Sequence, residues 1–294
     1  MAKILKGAEV VSALNAGMKE QVAGLKARKI TPTLAILRVG EREDDLSYEK
    51  GALKRCEAVG VGVKKVTLPA DVKEEIFFDT LNDLNRDQDV HGILMFRPLP
   101  AHLDTKKARQ MLSHEKDVDG CTDLSLAGVF TNTNTGFAPC TAQAVIEVLT
   151  HYGTEISGKR VVVIGRSLVV GRPVAMMLMH KNATVTICHT RTKDVPAIAR
   201  QADILIACAG QMESIDASFL REGQTVIDVG INWNEEKGKL CGDVVFDEAE
   251  KIVDAITPVP GGVGAVTTCV LVSHVIEAAL RMHHNESSYL FRTC

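Results

Sequence analysis

The sequence predicts an α/β protein of two α/β lobes around a cleft, and three observations predict it. Short apolar runs alternate with helical patterns, the signature of βαβ units and a parallel sheet. The alternation pauses near 140–157, and a fresh βαβ series opens at Arg160. A last long helical pattern starts only after residue 263, too late for the core of the second sheet. The second lobe is therefore expected to be a Rossmann-like doubly wound parallel sheet, with the C-terminal helix packing back on the first lobe. The expected extents are 1–142 plus 265–294 for the first lobe and 143–264 for the second. At 294 residues the chain exceeds the roughly 100–150 residues of a usual single domain, which agrees with two.

In chain order, a helical pattern at 7–28 leads into the apolar run TLAILRV at 33–39, the first expected strand. A helix at 44–59 and a strand at 61–68 follow, then a helix at 73–86 and the strand HGILMF at 91–96. Helical patterns at 103–113 and 141–152 complete the first half. The second half reads as strand 160–164 (RVVVI), helix 171–181, strand 183–188 (ATVTIC), helix 193–200 and strands 203–207 (DILIA) and 225–229 (TVIDV). The turn-rich PVPGGVG precedes the final helix, expected at 263–284. The tail 283–294, HHNESSYLFRTC, carries no motif and is expected to fray.

Composition excludes several classes of protein. Apolar residues make up 46% and charged residues 24%, as in ordinary packed domains. The net charge of −3, with basic residues scattered among acids, argues against an extended nucleic-acid footprint. No run reads as the roughly 20 apolar residues of a membrane helix, and the N-terminus has no secretory cleavage pattern. Eight cysteines without a C-x-x-C pair read as reduced thiols in a cytosolic protein, with no metal spacing.

Chemistry concentrates in a few segments. The strand RVVVI runs into GRSLVVG at 165–171 and then a helix, whose first N–H groups can hold a pyrophosphate. The spacing is not G-x-G-x-x-G, so the same glycines would also serve an ordinary tight turn. The next strand ends in CHTRT at 188–192, where NAD-binding versions carry an acid for the ribose 2′-hydroxyl. Here it delivers His189, Thr190 and Arg191, with Arg166 on the preceding turn. Two guanidiniums and no carboxylate favour a 2′-phosphate, hence NADP over NAD. His189 and His91, at strand ends, read as hydrogen-bonded structural residues.

DDLSYEKGALKRCEAVG at 44–60, HGILMFRPLP at 91–100, KDVDG at 116–120, GRSLVVGRP at 165–173 and TPVPGGVG at 257–264 together resemble the bifunctional methylenetetrahydrofolate dehydrogenase/cyclohydrolase family, known as FolD. The resemblance runs from about residue 4 to 280. It implies a cytosolic homodimer that binds tetrahydrofolate one-carbon derivatives against the nicotinamide of NADP, in the interdomain cleft. It assigns Tyr48 to stacking on the aminobenzoyl ring and Asp119 to gripping the pterin, with Phe96, Pro98, Leu99, Pro260, Gly261 and Gly262 also on the folate. Thr141, Gly165, Arg166, Ser167, Val170, Gly171, Thr190, Arg191, Ala209, Gly210, Gly230, Ile231, Gly264 and Thr267 fall to the cofactor. Tyr48 lies beside an expected core stripe of Leu46, Leu53, Cys56 and Val59.

Two positions depart from the family. Its lysine four residues after the tyrosine is Ala52 here, and its glutamine in VQLPLP is Phe96, followed by Arg97. Hydride loss from the methylene bridge is mainly positioning work. Hydrolysis of the methenyl cation needs proton transfers, where a general acid–base group contributes about 10²–10⁴-fold. The expectation is intact dehydrogenase chemistry and weak hydrolysis, or hydrolysis helped by Arg97 through electrostatic stabilisation. The rival readings are an oxidoreductase for a hydroxy acid or shikimate-like ring, and a folate- or nucleotide-binding protein without turnover.

Overall fold

The structure, a computed structural model, describes residues 1–235 and 238–290. It forms two compact units: Ala13–Cys140 with the chain from Thr268 onward, and Met1–Ser12 with Thr141–Thr267. In chain order the first elements are β1 (Lys3–Ile4), α1 (Gly7–Ala27), β2 (Thr33–Val39), α2 (Glu43–Val59), β3 (Gly62–Leu68), α3 (Glu74–Arg86), β4 (Gly92–Met95), α4 (Thr105–Met111) and α5 (Asp123–Thr131). Then come α6 (Cys140–His151), β5 (Arg160–Ile164), α7 (Gly171–His180), β6 (Thr184–Cys188), α8 (Val195–Ala199), β7 (Ile204–Ala207) and β8 (Thr225–Asp228). The chain continues through β9 (Asn232–Asn234), β10 (Lys239–Cys241), α9 (Phe246–Ala249), β11 (Ala255–Ile256) and α10 (Val263–Leu290).

The first unit holds a three-stranded parallel sheet in the order β3-β2-β4, with Leu34 opposite Val63 on one side and Gly92 on the other. The central strand is covered on both faces, which is why it reads as a nearly unbroken apolar run. Phe77, Phe78, Leu81 and Leu84 of α3 pack with Ala35, Leu37, Ile93 and Met95 into its core. The exception on β2 is buried Arg38, whose Nε donates to Glu49 Oε2 at 2.9 Å, while Lys65 reaches the other oxygen at 2.5 Å. Burial alone would raise the Glu49 pKa; hydrogen bonds from Lys65 and Arg38 overcome it and hold the carboxyl below its usual value.

That ion pair rotates α2 away from the expected stripe. Its buried face is Asp45, Glu49, Ala52, Cys56 and Val59, whereas Leu46 is 40% exposed and Leu53 is only partly buried. Apolar spacing alone pointed elsewhere because it gave no weight to a buried, doubly paired glutamate. From Thr268 onward α10 belongs to this unit, as expected of the C-terminal helix; Arg281 Nη1 donates to Gly136 O at 2.9 Å. The helix runs to Leu290, so most of the tail expected to fray is helical; residues 291–294 lie outside the described residues. Within α10, Val263–His283 is long and apolar enough by length and composition to cross a membrane, a stretch the sequence reading had not flagged. Of its most apolar window, 67% is buried, as in a core helix.

The second unit is a six-stranded, wholly parallel sheet in the order β1-β11-β8-β7-β5-β6. Its four longest strands, together with α7 and α8, fall within two residues of the sequence expectation, whereas α9 had no counterpart in it. The unit also takes the start of the chain, which had been expected in the first lobe. Lys3 N and Leu5 N donate to Asp254 O and Ile256 O, making β1 an edge strand beside β11. Two-residue strands are too short to show a period, and so are the hairpin strands β9 and β10, in which Trp233 lies opposite Leu240.

Candidate active site

Within the first unit, α2, the end of β4 and the segment before α5 bring together Tyr48, Phe96, Arg97 and Asp119. The Tyr48 and Phe96 rings meet edge to face, centroids 5.9 Å apart and planes at 88°, the geometry favoured by ring quadrupoles. Arg97 Nη2 donates to Asp119 Oδ2 at 2.8 Å, and both side chains are 24% exposed. Arg97 Nε is buried without a hydrogen-bond partner. Burial raises the Asp119 pKa while Arg97 works against it. Burial also opposes the charged form of Arg97, but Cys121 and Asp119 outweigh it and hold its pKa above the ordinary arginine value. Tyr48 is pushed well above its usual pKa, chiefly by burial and then by Cys140 and Asp119. Ala52 is fully buried on the same helix and contributes no polar group.

The KDVDG segment divides its labour. Lys116, buried, donates to the carbonyls of Leu84 and Asp87 at 3.2 and 2.6 Å. Asp117 is completely buried and accepts from Cys121 N, Thr122 N and Ser125 Oγ at 3.0, 2.7 and 2.7 Å, anchoring the start of α5. Only Asp119 is left facing solvent. A cysteine–histidine couple lies close by: Cys140 Sγ and His274 Nδ1 are 3.8 Å apart, each also on Val118 O. Burial raises the thiol pKa well above its usual value and lowers that of the imidazole. Both therefore stay neutral, and the couple is no thiolate nucleophile.

In the second unit, β5, β6 and β7 open onto a cavity of about 350 Å³ lined by Gly165, Arg166, Ser167, His189, Thr190 and Ala209 among others, with no carboxylate. Its shape depends on missing side chains. Gly165 has φ +132°, and a Cβ there would lie 2.2 Å from Cys208 O; at Gly171 it would lie 2.3 Å from Gly165 O. Glycine at both positions lets a ligand approach the backbone of this turn closely, while at the helix start Arg172 N is already bonded to Ser167 O at 3.1 Å and Pro173 has no N–H. Ser167 Oγ accepts from Val170 N at 3.1 Å and closes the turn. On the next turn His189 Nδ1 accepts from Arg191 N at 3.2 Å, so this imidazole organises the loop. Arg166 and Arg191 are both exposed.

A further cavity of about 300 Å³ is lined by Gly230, Ile231, Pro260, Gly261, Gly262 and Gly264, with Leu240 and residues 258–259 beside them. The loops of both cavities hang on one carboxylate that sequence reasoning missed. Asp243, fully buried, accepts from Ala209 N, Gly210 N and Gln211 N at 2.7–2.9 Å and from Asn232 Nδ2 at 3.1 Å. Its neighbour Asp228 accepts from Gly230 N, Asp243 N and Val244 N at 2.9–3.0 Å; burial nevertheless pushes its pKa up to about 7. The available signal was an acid inside the apolar stretch TVIDV and another in CGDVV.

Of the expected site residues, Leu99 packs into the first unit's core and Pro98 is exposed, its carbonyl accepting from Arg42 at 3.3 Å. Pro260, Gly261 and Gly262, expected on folate, share their cavity with Gly230, Ile231 and Gly264, expected on the cofactor. Thr141 and Thr267 line neither cavity; Thr267 is buried, its hydroxyl directed at Val263 O.

Residues 5–119 match the tetrahydrofolate dehydrogenase/cyclohydrolase catalytic-domain family, and residues 139–283 match the NAD(P)-binding domain of the same name. The bifunctional protein FolD of Carboxydothermus hydrogenoformans is 50% identical over 279 residues, covering 95% of this chain and 97% of that one. Among solved structures, the bifunctional FolD dehydrogenase/cyclohydrolase of Campylobacter jejuni superposes with TM-score 0.93 at 36% identity, covering 96% of this chain and all of that one. The Trypanosoma brucei FolD, complexed with NADP cofactor and inhibitor, superposes with TM-score 0.89 at 36% identity, covering 96% and 98%.

Proposed function

The chain belongs to the tetrahydrofolate dehydrogenase/cyclohydrolase family, and from that premise we propose that it oxidises 5,10-methylenetetrahydrofolate to 5,10-methenyltetrahydrofolate with NADP. Hydrolysis to 10-formyltetrahydrofolate is the family's second activity, and here it is the slower one. Folate falls to the unit containing Asp119 and NADP to the unit containing Gly165.

The observation that carries this reading is the convergence of Tyr48 and Asp119 on one largely buried patch inside the segment that matches the catalytic domain. A carboxylate there can accept from the pterin's 2-amino and N3–H groups, fixing ring orientation as well as affinity. The Tyr48 ring supplies an apolar face for the aminobenzoyl group. On the NADP side, the Cβ-free turn at Gly165 and Gly171 suits a diphosphate, and the carboxylate-free cavity with Arg166 at its wall suits a 2′-phosphate. NADP supplies the hydride acceptor; the chain's own residues orient the folate and exclude water.

Hydrolysis asks for more. A water must be deprotonated, and the described groups nearest Asp119 are poorly suited to that, the neutral imidazole of His274 being buried behind Val118 with its Nδ1 on the Val118 carbonyl. Tyr48, Cys140 and Arg97 hold their protons too tightly, Asp119 is ion-paired, and Ala52 and Phe96 carry no proton. Arg97 can still stabilise developing negative charge, which keeps a residual hydrolytic rate. We also propose a cytosolic homodimer, on the family resemblance, to be checked by sedimentation.

Turnover is tested spectrophotometrically with methylenetetrahydrofolate, NADP and NAD in parallel. No reduction of either nucleotide would end the dehydrogenase reading. Decay of methenyltetrahydrofolate above its spontaneous rate tests the second step. Restoring the family's pair with Ala52→Lys and Phe96→Gln together should raise that decay about 100-fold, within the range of a single acid–base group. If the starting protein already hydrolyses as fast as the double variant, the proposed inequality is wrong.

A further inference from the structure

Arg97 stands where the family motif VQLPLP carries a leucine, and its contact with Asp119 goes beyond an ion pair. Nη2 alone reaches the carboxylate, at Oδ2, so the pairing is single rather than forked. Nε is buried without a partner, and among the described residues Nη2 makes the guanidinium's hydrogen bond. A guanidinium has five N–H donors and an ionised carboxylate about four acceptor positions. Both groups therefore keep hydrogen-bonding capacity, and both are partly open to solvent, at 24% exposure each. The adjacent guanidinium and carboxylate thus offer a donor and acceptors side by side.

The pterin ring of a folate carries the complement along one edge: the 4-oxo acceptor, then the N3–H and 2-amino donors. We propose that Arg97 is a specificity-determining residue that donates to the 4-oxo oxygen while Asp119 accepts from N3–H and the 2-amino group. This rests on the folate reading above and deepens it. The ion pair already holds the two groups together before the substrate arrives, so binding need not assemble them. A charge-assisted hydrogen bond in a partly desolvated site also discriminates strongly, because an analogue lacking the acceptor leaves a guanidinium N–H unpaired. Arg97 acts here on the ring that carries the one-carbon bridge, not as an acid or base, and its effect lies in which ligand is held.

The test compares tetrahydrofolate with its 4-thioxo analogue by anaerobic titration calorimetry. The analogue keeps N3–H and the 2-amino group and weakens only the acceptor. The unaltered protein should prefer the oxo ligand by about 10-fold or more, the range of one hydrogen bond to a charged group. In Arg97→Leu the preference should fall to nearly one, with the oxo ligand weakened far more than the thioxo. Arg97→Lys should retain part of it. Should Arg97→Leu fail to fold, Arg97→Gln carries the same comparison. A preference unchanged on replacing Arg97 overturns the proposal while leaving the folate reading intact. Failure of both ligands to bind the unaltered protein overturns both readings. A purely structural role for Arg97 would weaken both ligands equally and leave their ratio as it was, which also counts against the proposal.

Discussion

The two units build their sites from different materials. In the first, side chains do the work: Tyr48, Phe96, Arg97 and Asp119 come from a helix, a strand end and a loop, and each carries a distinct chemical group. In the second, the walls are shaped by positions where no Cβ fits and held by buried carboxylates: Asp243 ties two loops together, and Asp228 also lines one cavity. The first should therefore lose function when a side chain is cut back. The second should lose it when an atom is added, or when a buried acid behind the wall is removed.

Adding an atom is the sharpest way to break that contrast. Gly165→Val places a Cβ 2.2 Å from Cys208 O at a φ of +132°, and strain plus overpacking should cost about 4 kcal/mol by urea unfolding, with NADP binding lost. A variant that bound NADP normally would mean the ligand does not need the close approach that glycine allows at this turn.

The acids behind the wall give the next largest effect. The Asp228 pKa is raised to about 7 by burial, so between the ordinary carboxylate value and that pKa the folded state binds a proton that the unfolded chain does not. Its contribution to stability is therefore greatest in acid and is lost as pH rises to about 7, by at most about 4 kcal/mol. Stability of the unaltered protein relative to Asp228→Asn should fall between about pH 4 and pH 7 and level off above. A flat difference curve would show that the three backbone donors, rather than burial, govern this carboxyl.

Removing Asp243 strands three backbone N–H groups and the Asn232 amide. Each stranded group costs about 1–3 kcal/mol if it stays dry, less if water enters. Asp243→Ala should weaken NADP about 10-fold through the two loops, with folate affinity unchanged, as read by separate titrations of each ligand. Equal losses for both ligands would remove the distinction drawn between the units. The smallest effect belongs to α2: Leu46→Ser, at a side chain 40% exposed, should shift stability by less than about 0.5 kcal/mol. A loss of several times that would restore the stripe expected from apolar spacing.

Much of this was legible in the chain itself. Continuous apolar runs such as TLAILRV and RVVVI announced buried parallel strands, and the motifs at 116–120, 165–171 and 257–264 announced the family. The misses share a cause. Leu46 looked like a core residue because Glu49 looked like surface, and only the convergence of Arg38 and Lys65 makes that glutamate a buried one. Asp228 and Asp243 carried no motif, since their partners are backbone N–H groups up to 34 residues away. β1 needed a partner some 250 residues along the chain before two residues could count as a strand.

By itself the sequence determined the α/β class, the order of the main strands and the residue types available for folate and NADP, because these depend on local period and composition. The tertiary structure decided that Arg97 and Asp119 are paired, that only one aspartate of KDVDG is free for a ligand, and that one buried carboxylate holds both cavity loops. Those are meetings between groups distant along the chain, and hydrogen-bond geometry and desolvation act only once folding has brought the groups together.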